Sequence, residues 1–273
     1  MTTYHTVTYE THGHVGVLTL NRPERLNALN AAMLREINAV CDAVEADAAV
    51  RVLVVTGAGN AFSSGFDLKE QMEKRPQGVE TWRTILENDF NATMRFWSLS
   101  RPTIAAVRGA CLAGACELAL ACDITIAAED AFFGEPELKF GAGIVTMILP
   151  WVTGPKQAKE IILNGMDHIP AAEALRLGLV NRVVPNGTDL DAALAMGRHI
   201  AVMDPELVRE TKKAINRTYE IMGMQAALRT ALDADLQIES HGSPDKRKFM
   251  EIARAEGLRA AIAWRDRRFG EGS

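Results

Sequence analysis

Two runs constrain this chain more than anything else in it: VRVLVVTG at 50–57 and PTIAAVRG at 102–109. Both are short and nearly continuous in apolar residues, and each ends in glycine. A strand with one wet face alternates apolar and polar residues. A run that does not alternate suits a strand covered on both faces. DITIAAE at 123–129 reads as a third such strand. Helical patterns separate them. NALNAAMLREINAVCDAVEAD sets Met33, Ile37, Val40 and Val44 at helical spacing, with Asn30 as its N-cap. GACELALAC is a short apolar helix. Strand and helix therefore alternate, which argues α/β layering. Ahead of them, HTVTYE and HVGVLTLN have period two and flank residues 11–13 as a hairpin.

The character changes near residue 205. From there the chain is charged, helical in period and without strand signals, and EIARAEGLRAAIAWRDRR at 251–268 is its clearest helix. The expected organisation is a core at 1–204 and a helical part at 205–273. A chain of 273 residues holds one large domain or one with an appendage. A net charge of −5 gives no bulk reason to seek nucleic acid or anionic membrane. Cys41, Cys111, Cys116 and Cys122 lack metal or disulfide spacing and read as buried thiols of a reducing compartment. The N-terminal residues show no signal pattern and no segment approaches a membrane span, so a cytoplasmic protein is expected. The G-x-G pairs lack a third glycine at the right offset, the six histidines form no HExxH, and there is no GxSxG. Trp97, Trp151 and Trp264 read as core or interface.

Three stretches carry candidate chemistry. In GACLAGACELALACD, Gly114 opens a helix whose first-turn N–H groups favour negative charge, and Glu117 lies on the same face one turn on. A backbone donor and a carboxylate would converge there. The alternative is a buried Glu117 paired with an Arg or with a backbone N–H. In FFGEPELKFGAG, Pro136 fixes the approach to Glu137 and biases Glu135 to an extended conformation. Two carboxylates in one apolar pocket can divide acid and base roles. Solvated loop charges are the alternative. In NAFSSGFDLKE, Gly65 precedes a helix start with Asp67 in its first turn, so the N–H groups of Phe66 and Asp67 would face a ligand. The alternative is a plain turn capped by Ser63 or Ser64.

In order, NRPERLNALN, VTGAGNAFSSGFDLKE, RPTIAAVRGACLAGACELALACDITIAAEDAFFGEPELKFG, GPKQAKEIILNG and AAEALRLGLVNRVV resemble the enoyl-CoA hydratase/isomerase (crotonase) superfamily over about residues 15–184. The resemblance implies a spiral of ββα units with a helical C-terminal trimerisation part. It implies an oxyanion hole from the N–H groups of Phe66 and Gly114 around an acyl-CoA thioester oxygen. It implies that Glu117 acts on a water added at C3 of a 2-enoyl-CoA and Glu137 protonates C2. Leu26, Ala28, Ser64, Gly65, Asp67, Leu68, Lys69 and Pro136 would line the path of coenzyme A, which enters with the substrate; no separate cofactor or metal is expected. A homotrimer or dimer of trimers is expected. Three departures stand out. Ala113-Gly114-Ala115 replaces a common Gly triplet, Phe66 replaces a commoner Ala, and KFGAGIVTMILPW follows Glu137 in place of PGAGGTQRL. Val145 stands where some isomerases and dehalogenases have Asp. An isomerase, which needs one glutamate, and a non-catalytic CoA-thioester or partner-binding scaffold are the competing readings.

Overall fold

The computed structural model describes residues 3–270. The chain opens with β1 (Val7–His12) and β2 (Val15–Leu20), an antiparallel hairpin as expected. Next come α1 (Ala31–Ala46), β3 (Val52–Gly57), α2 (Leu68–Lys74) and α3 (Val79–Ser98). The Asn30 side chain accepts from the Met33 N–H and caps α1, whose Met33, Ile37, Val40 and Val44 are all buried. Then follow β4 (Thr103–Val107), β5 (Ala110–Leu112), α4 (Gly114–Ala121), β6 (Ile124–Ala128), β7 (Phe132–Gly134) and α5 (Glu137–Phe140). The chain continues through α6 (Leu149–Val152), α7 (Pro155–Leu163), β8 (Ile169–Pro170), α8 (Ala171–Arg176), β9 (Arg182–Val184) and α9 (Asp189–Ile200). It ends with α10 (Pro205–Ile221), α11 (Met224–His241), α12 (Pro244–Glu256) and α13 (Leu258–Phe269).

The large sheet has the order β1-β2-β3-β4-β6-β9, parallel beyond its opening hairpin. The two apolar runs lie at its centre, covered on both faces. Val52, Val54, Ile104 and Ala106 meet α9, while Leu53, Val55, Ala105 and Val107 join the main core on the other side. Each aliphatic side chain so buried stabilises by roughly 1.5–3 kcal/mol.

The segment between Gly109 and Gly114 is not a plain turn: it contains β5. The chain leaves the large sheet at Gly109, where φ is +54° and any Cβ would collide with the Asn60 carbonyl oxygen. It then enters a small sheet of order β5-β7-β8. Strand in the large sheet, strand in the small sheet, then helix is the repeating unit: β4-β5-α4, then β6-β7-α5. This is the expected spiral of ββα units.

At the C-terminal end, Leu228, Leu232 and Leu236 of α11 belong to the main core. Helices α12 and α13 instead form a separate cluster of Phe249, Met250, Ala253 and Ala261 against Leu68, Met72 and Phe140. The stretch read as one helix at 251–268 breaks at Gly257, whose φ of +93° no continuous helix accommodates. All four cysteines are free and buried. No helix among the described residues is long and apolar enough to cross a membrane.

Candidate active site

Two chain segments far apart in sequence interlock to set the candidate donors. Gly65 has φ +89°, and a Cβ there would lie 2.8 Å from the Ala113 Cβ and 3.4 Å from the Gly114 nitrogen. Residues 65–66 therefore pass directly against the start of α4. Ala113 enters that helix at φ 55°, ψ −137°, a region that suits glycine, and its own N–H bonds the Gly134 carbonyl at 2.8 Å. The N–H groups of Phe66 and Gly114 have no acceptor among the described residues. The Asp67 N–H differs from expectation: it donates to the Leu29 carbonyl at 3.0 Å and faces no ligand.

The cap of α2 also differs. Asp67 itself is the N-cap, accepting from Lys69 and Glu70, and it pairs with Arg22 at 2.8 Å. Ser63 is occupied elsewhere. Its hydroxyl donates to the Asn27 carbonyl at 2.8 Å and accepts from the Gly65 N–H at 3.2 Å. The buried Asn27 side chain, unmarked in the sequence reading, donates to the carbonyls of Ala58, Ala61 and Phe62 at 2.8–3.2 Å. Leu26 and Asn27 both adopt left-handed backbone, with φ 49° and 53°, and Ser64 donates its N–H to Leu26. This network ties the 22–29 segment to the donor loop.

The carboxylates are not ion-paired with an Arg, but Glu117 does have the backbone N–H partner of the alternative reading. Glu117 is 1% exposed, and its Oε1 accepts from the Thr146 N–H at 2.9 Å while Oε2 has no partner. No salt bridge reaches Glu117, Glu135 or Glu137 among the described residues. Glu135, expected as an extended loop residue, is 1% exposed, held by its N–H to the Met166 carbonyl, and neither side-chain oxygen has a partner. Glu137 begins α5 and is half-buried. One oxygen from each of the three lies within 4.8 Å of the others. Such a trio could in geometry hold a divalent cation. Without one, burial is relieved by proton uptake. Burial pushes Glu117 up to about 8 against the Thr146 hydrogen bond. Burial, then the charge of Glu117, pushes Glu137 well above the carboxylate range. Glu135 is raised by burial, then by Glu137 and Glu117.

These groups border a cavity of about 580 Å³. Leu26, Ala28 and Ser64 form part of its wall, Phe66, Asp67, Leu68 and Lys69 another, and Pro136 and Glu137 a third. Gly65, Gly114 and Glu117 do not line it themselves. Gly65 and Gly114 adjoin the wall residues Phe66 and Ala113 in sequence, and Glu117 meets Glu137 through their carboxylates. The sequence reading missed the remaining wall: Trp82 and Asp89 of α3, Asp235 and Glu239 of α11, and Lys246 of α12. Burial raises Asp89 well above its ordinary value, helped by Glu117, and raises Asp235 to about 6 against the pull of Lys246.

The Enoyl-CoA hydratase/isomerase family model matches residues 10–262. A short-chain-enoyl-CoA hydratase of Clostridium acetobutylicum is 36% identical over 265 residues, 93% of this chain and 97% of that one. The crystal structure of an enoyl-CoA hydratase/isomerase from Xanthobacter autotrophicus Py2 superposes with TM-score 0.97 at 64% identity, covering 97% of this chain and 99% of that chain. An enoyl-CoA hydratase from Mycobacterium smegmatis superposes with TM-score 0.90 at 25% identity, covering 99% and 97%. The fold is thus shared, and the chain belongs to the enoyl-CoA hydratase/isomerase family of enzymes.

Proposed function

We propose that the protein is a lyase that hydrates a 2-enoyl-CoA thioester to the 3-hydroxyacyl-CoA. One observation carries this reading: the unsatisfied N–H groups of Phe66 and Gly114 and the carboxyl groups of Glu117 and Glu137, which have no ion-pair partner, lie in or directly behind the wall of one cavity. The thioester oxygen accepts from Phe66 and Gly114, and charge developing on it is met by fixed donors and the N-terminus of α4. Glu117, as carboxylate, takes a proton from water while the water oxygen bonds C3. Glu137, as carboxylic acid, delivers a proton to C2. One proton leaves the pair and one enters it, so exchange between neighbouring carboxyl groups resets the site. Burial favours the doubly protonated pair and mutual repulsion makes it ionise one proton at a time, so the reacting, singly ionised form grows as pH rises toward about 8. Coenzyme A arrives with the substrate, along Leu26, Ala28, Ser64, Leu68 and Lys69 at the mouth, with Pro136 opposite; Gly65 and Asp67 hold the loop in place. Assembly as a homotrimer or dimer of trimers, and a cytoplasmic location, belong to the same reading.

Isomerisation of a 3-enoyl-CoA needs one proton-carrying glutamate; two unpaired ones favour hydration. A panel of 2-enoyl- and 3-enoyl-CoA thioesters, followed by the absorbance of the conjugated enoyl group, separates the readings. Absorbance is lost with 2-enoyl substrates on hydration and gained with 3-enoyl substrates on isomerisation. No change across the panel leaves only the scaffold. Glu117→Gln and Glu137→Gln each lower hydration about 10²–10⁴-fold. Full activity in both variants refutes the assignment.

A further inference from the structure

The closed end of the cavity is not hydrocarbon. Helices α3, α11 and α12 build it, and among Trp82, Leu86, Phe249 and Met250 they place the carboxylates of Asp89 and Asp235. Exposure falls from 54% at Leu26 at the mouth to 7% at Asp89 and 2% at Asp235. The cation that acts on Asp235 is already engaged. Lys246 pairs with Glu239, and its Nζ lies 4.5 Å from the Trp82 ring centroid. Neither oxygen of Asp235 makes a hydrogen bond of good geometry, the Gly143 N–H being close enough only to lower its carboxyl pKa, and no hydrogen bond to Asp89 is found among the described residues. The chain approaches Asp235 very closely on one side: a Cβ at Gly143, itself a wall residue, would collide with its carboxylate. On the side away from Gly143, Asp235 lines the cavity together with Asp89.

A buried acceptor without a donor is costly, and native structures rarely tolerate two in one place. A hydrocarbon chain reaching this floor would displace water from both carboxylates and return nothing. A chain ending in a hydrogen-bond donor would satisfy them. A chain ending in a carboxylate would meet Asp89, Asp235, Glu239 and Glu137 of the same wall, and the cation that acts on Asp235, Lys246, is already paired with Glu239. We propose that the distal end of the substrate's acyl group carries a hydrogen-bond donor, a hydroxyl or ammonium group, received by Asp235 and Asp89. The substrate class is then an ω-hydroxy- or ω-amino-acyl thioester. This rests on the acyl-CoA reading above.

Binding of unreactive substrates tests the floor without requiring turnover. The full chain is titrated calorimetrically with saturated acyl-CoA thioesters in a series of matched lengths, ending in methyl, hydroxyl, ammonium or carboxylate. At the length that reaches the floor, hydroxyl or ammonium chains bind roughly ten- to hundredfold more tightly than the methyl chain, and the carboxylate chain binds worst. In Asp235→Leu the ratio collapses toward unity. Asp235→Asn keeps the shape and one acceptor oxygen, so it weakens the ammonium chain more than the hydroxyl chain even if the Leu variant fails to fold. Methyl chains binding as well at every length, carboxylate chains binding best, or a preference that survives both Asp235→Leu and Asp89→Leu overturns the proposal. Hydration of 2-enoyl-CoA without any distal-group preference sinks this inference alone. A distal-group preference without hydration sinks the reaction instead.

Discussion

Replacing Gly114 with alanine probes the donor pair without touching a titratable group. A Cβ at that position would collide with Cε2 of the Phe66 ring and lie 2.6 Å from its Cδ2 and 2.7 Å from its Cζ. Carbon atoms rest at about 3.5–4.0 Å, so the ring edge must withdraw by roughly 1.3–1.8 Å. Gly114 is not among the positive-φ residues, so alanine adds no backbone strain and the whole effect passes through the ring. The ring cannot retreat freely, because it packs against the main core. Overpacking of this kind costs about 1–3 kcal/mol. For a chain of this size that lowers the Tm by a few degrees for each kcal/mol. The ring and one donor belong to the same residue, so the Phe66 N–H moves as well, and loss of one such donor costs about 10²–10³ in kcat. Gly114→Ala should therefore lower kcat on a short 2-enoyl-CoA by about 10²-fold. Adding Phe66→Ala removes the clash, retains the N–H and recovers most of that loss. The assay is the fall in enoyl absorbance for wild type, both single variants and the double variant, with thermal melts in parallel. Full activity in Gly114→Ala, or a double variant no better than that single one, would refute the geometry.

Two further outcomes follow from the same site. Burial holds Glu117 at about 8 against an ordinary 4.5, so the folded chain keeps its proton more tightly than the unfolded chain. The associated stability is complete below pH 4.5 and is lost as pH rises through about 8, with a slope of about 1.4 kcal/mol per pH unit for one proton. Asp235 adds a loss between 3.8 and about 6. The melting temperature should thus decline between pH 5 and 8, and Glu117→Gln should flatten the decline; a Tm that climbs over that range contradicts the buried, proton-holding carboxyl. Ala113→Gly should raise the Tm. Relief at φ 55°, ψ −137° is worth about 1–3 kcal/mol, more than the 0.5–1 kcal/mol entropic cost of glycine, and a lowered Tm would show that the position is unstrained.

What could be read from the sequence was what local pattern determines. Unbroken apolar runs named β3 and β4 and their two covered faces, and Asn30 named the start of α1. Strand β5 escaped because three residues are too few for any period, and its partner β7 lies twenty residues on. Asp67 outcompeted the serines as cap because Ser63 is drawn to Asn27, a contact no local pattern encodes. Glu135 looked like a loop charge for the same reason: its burial depends on pairing with Met166. The cavity floor did leave a trace. Asp89 interrupts the apolar stripe Trp82, Leu86, Phe90, and Asp235 the stripe Leu228, Leu232, Leu236. A carboxylate on the buried side of an amphipathic helix marks a site, although nothing local says which two helices will share it.

The two donor residues lie on separate turns of the spiral, and only the tight passage of Gly65 against Ala113 brings them together. On the proposed reading, neither loop alone carries half of the oxyanion hole in any useful sense. A chain that has folded its opening hairpin, α1 and β3 but has not yet laid β5 beside β7 has no place to hold a thioester oxygen. Turnover therefore reports the completed topology, and a refolding experiment scored by activity should lag one scored by helical signal.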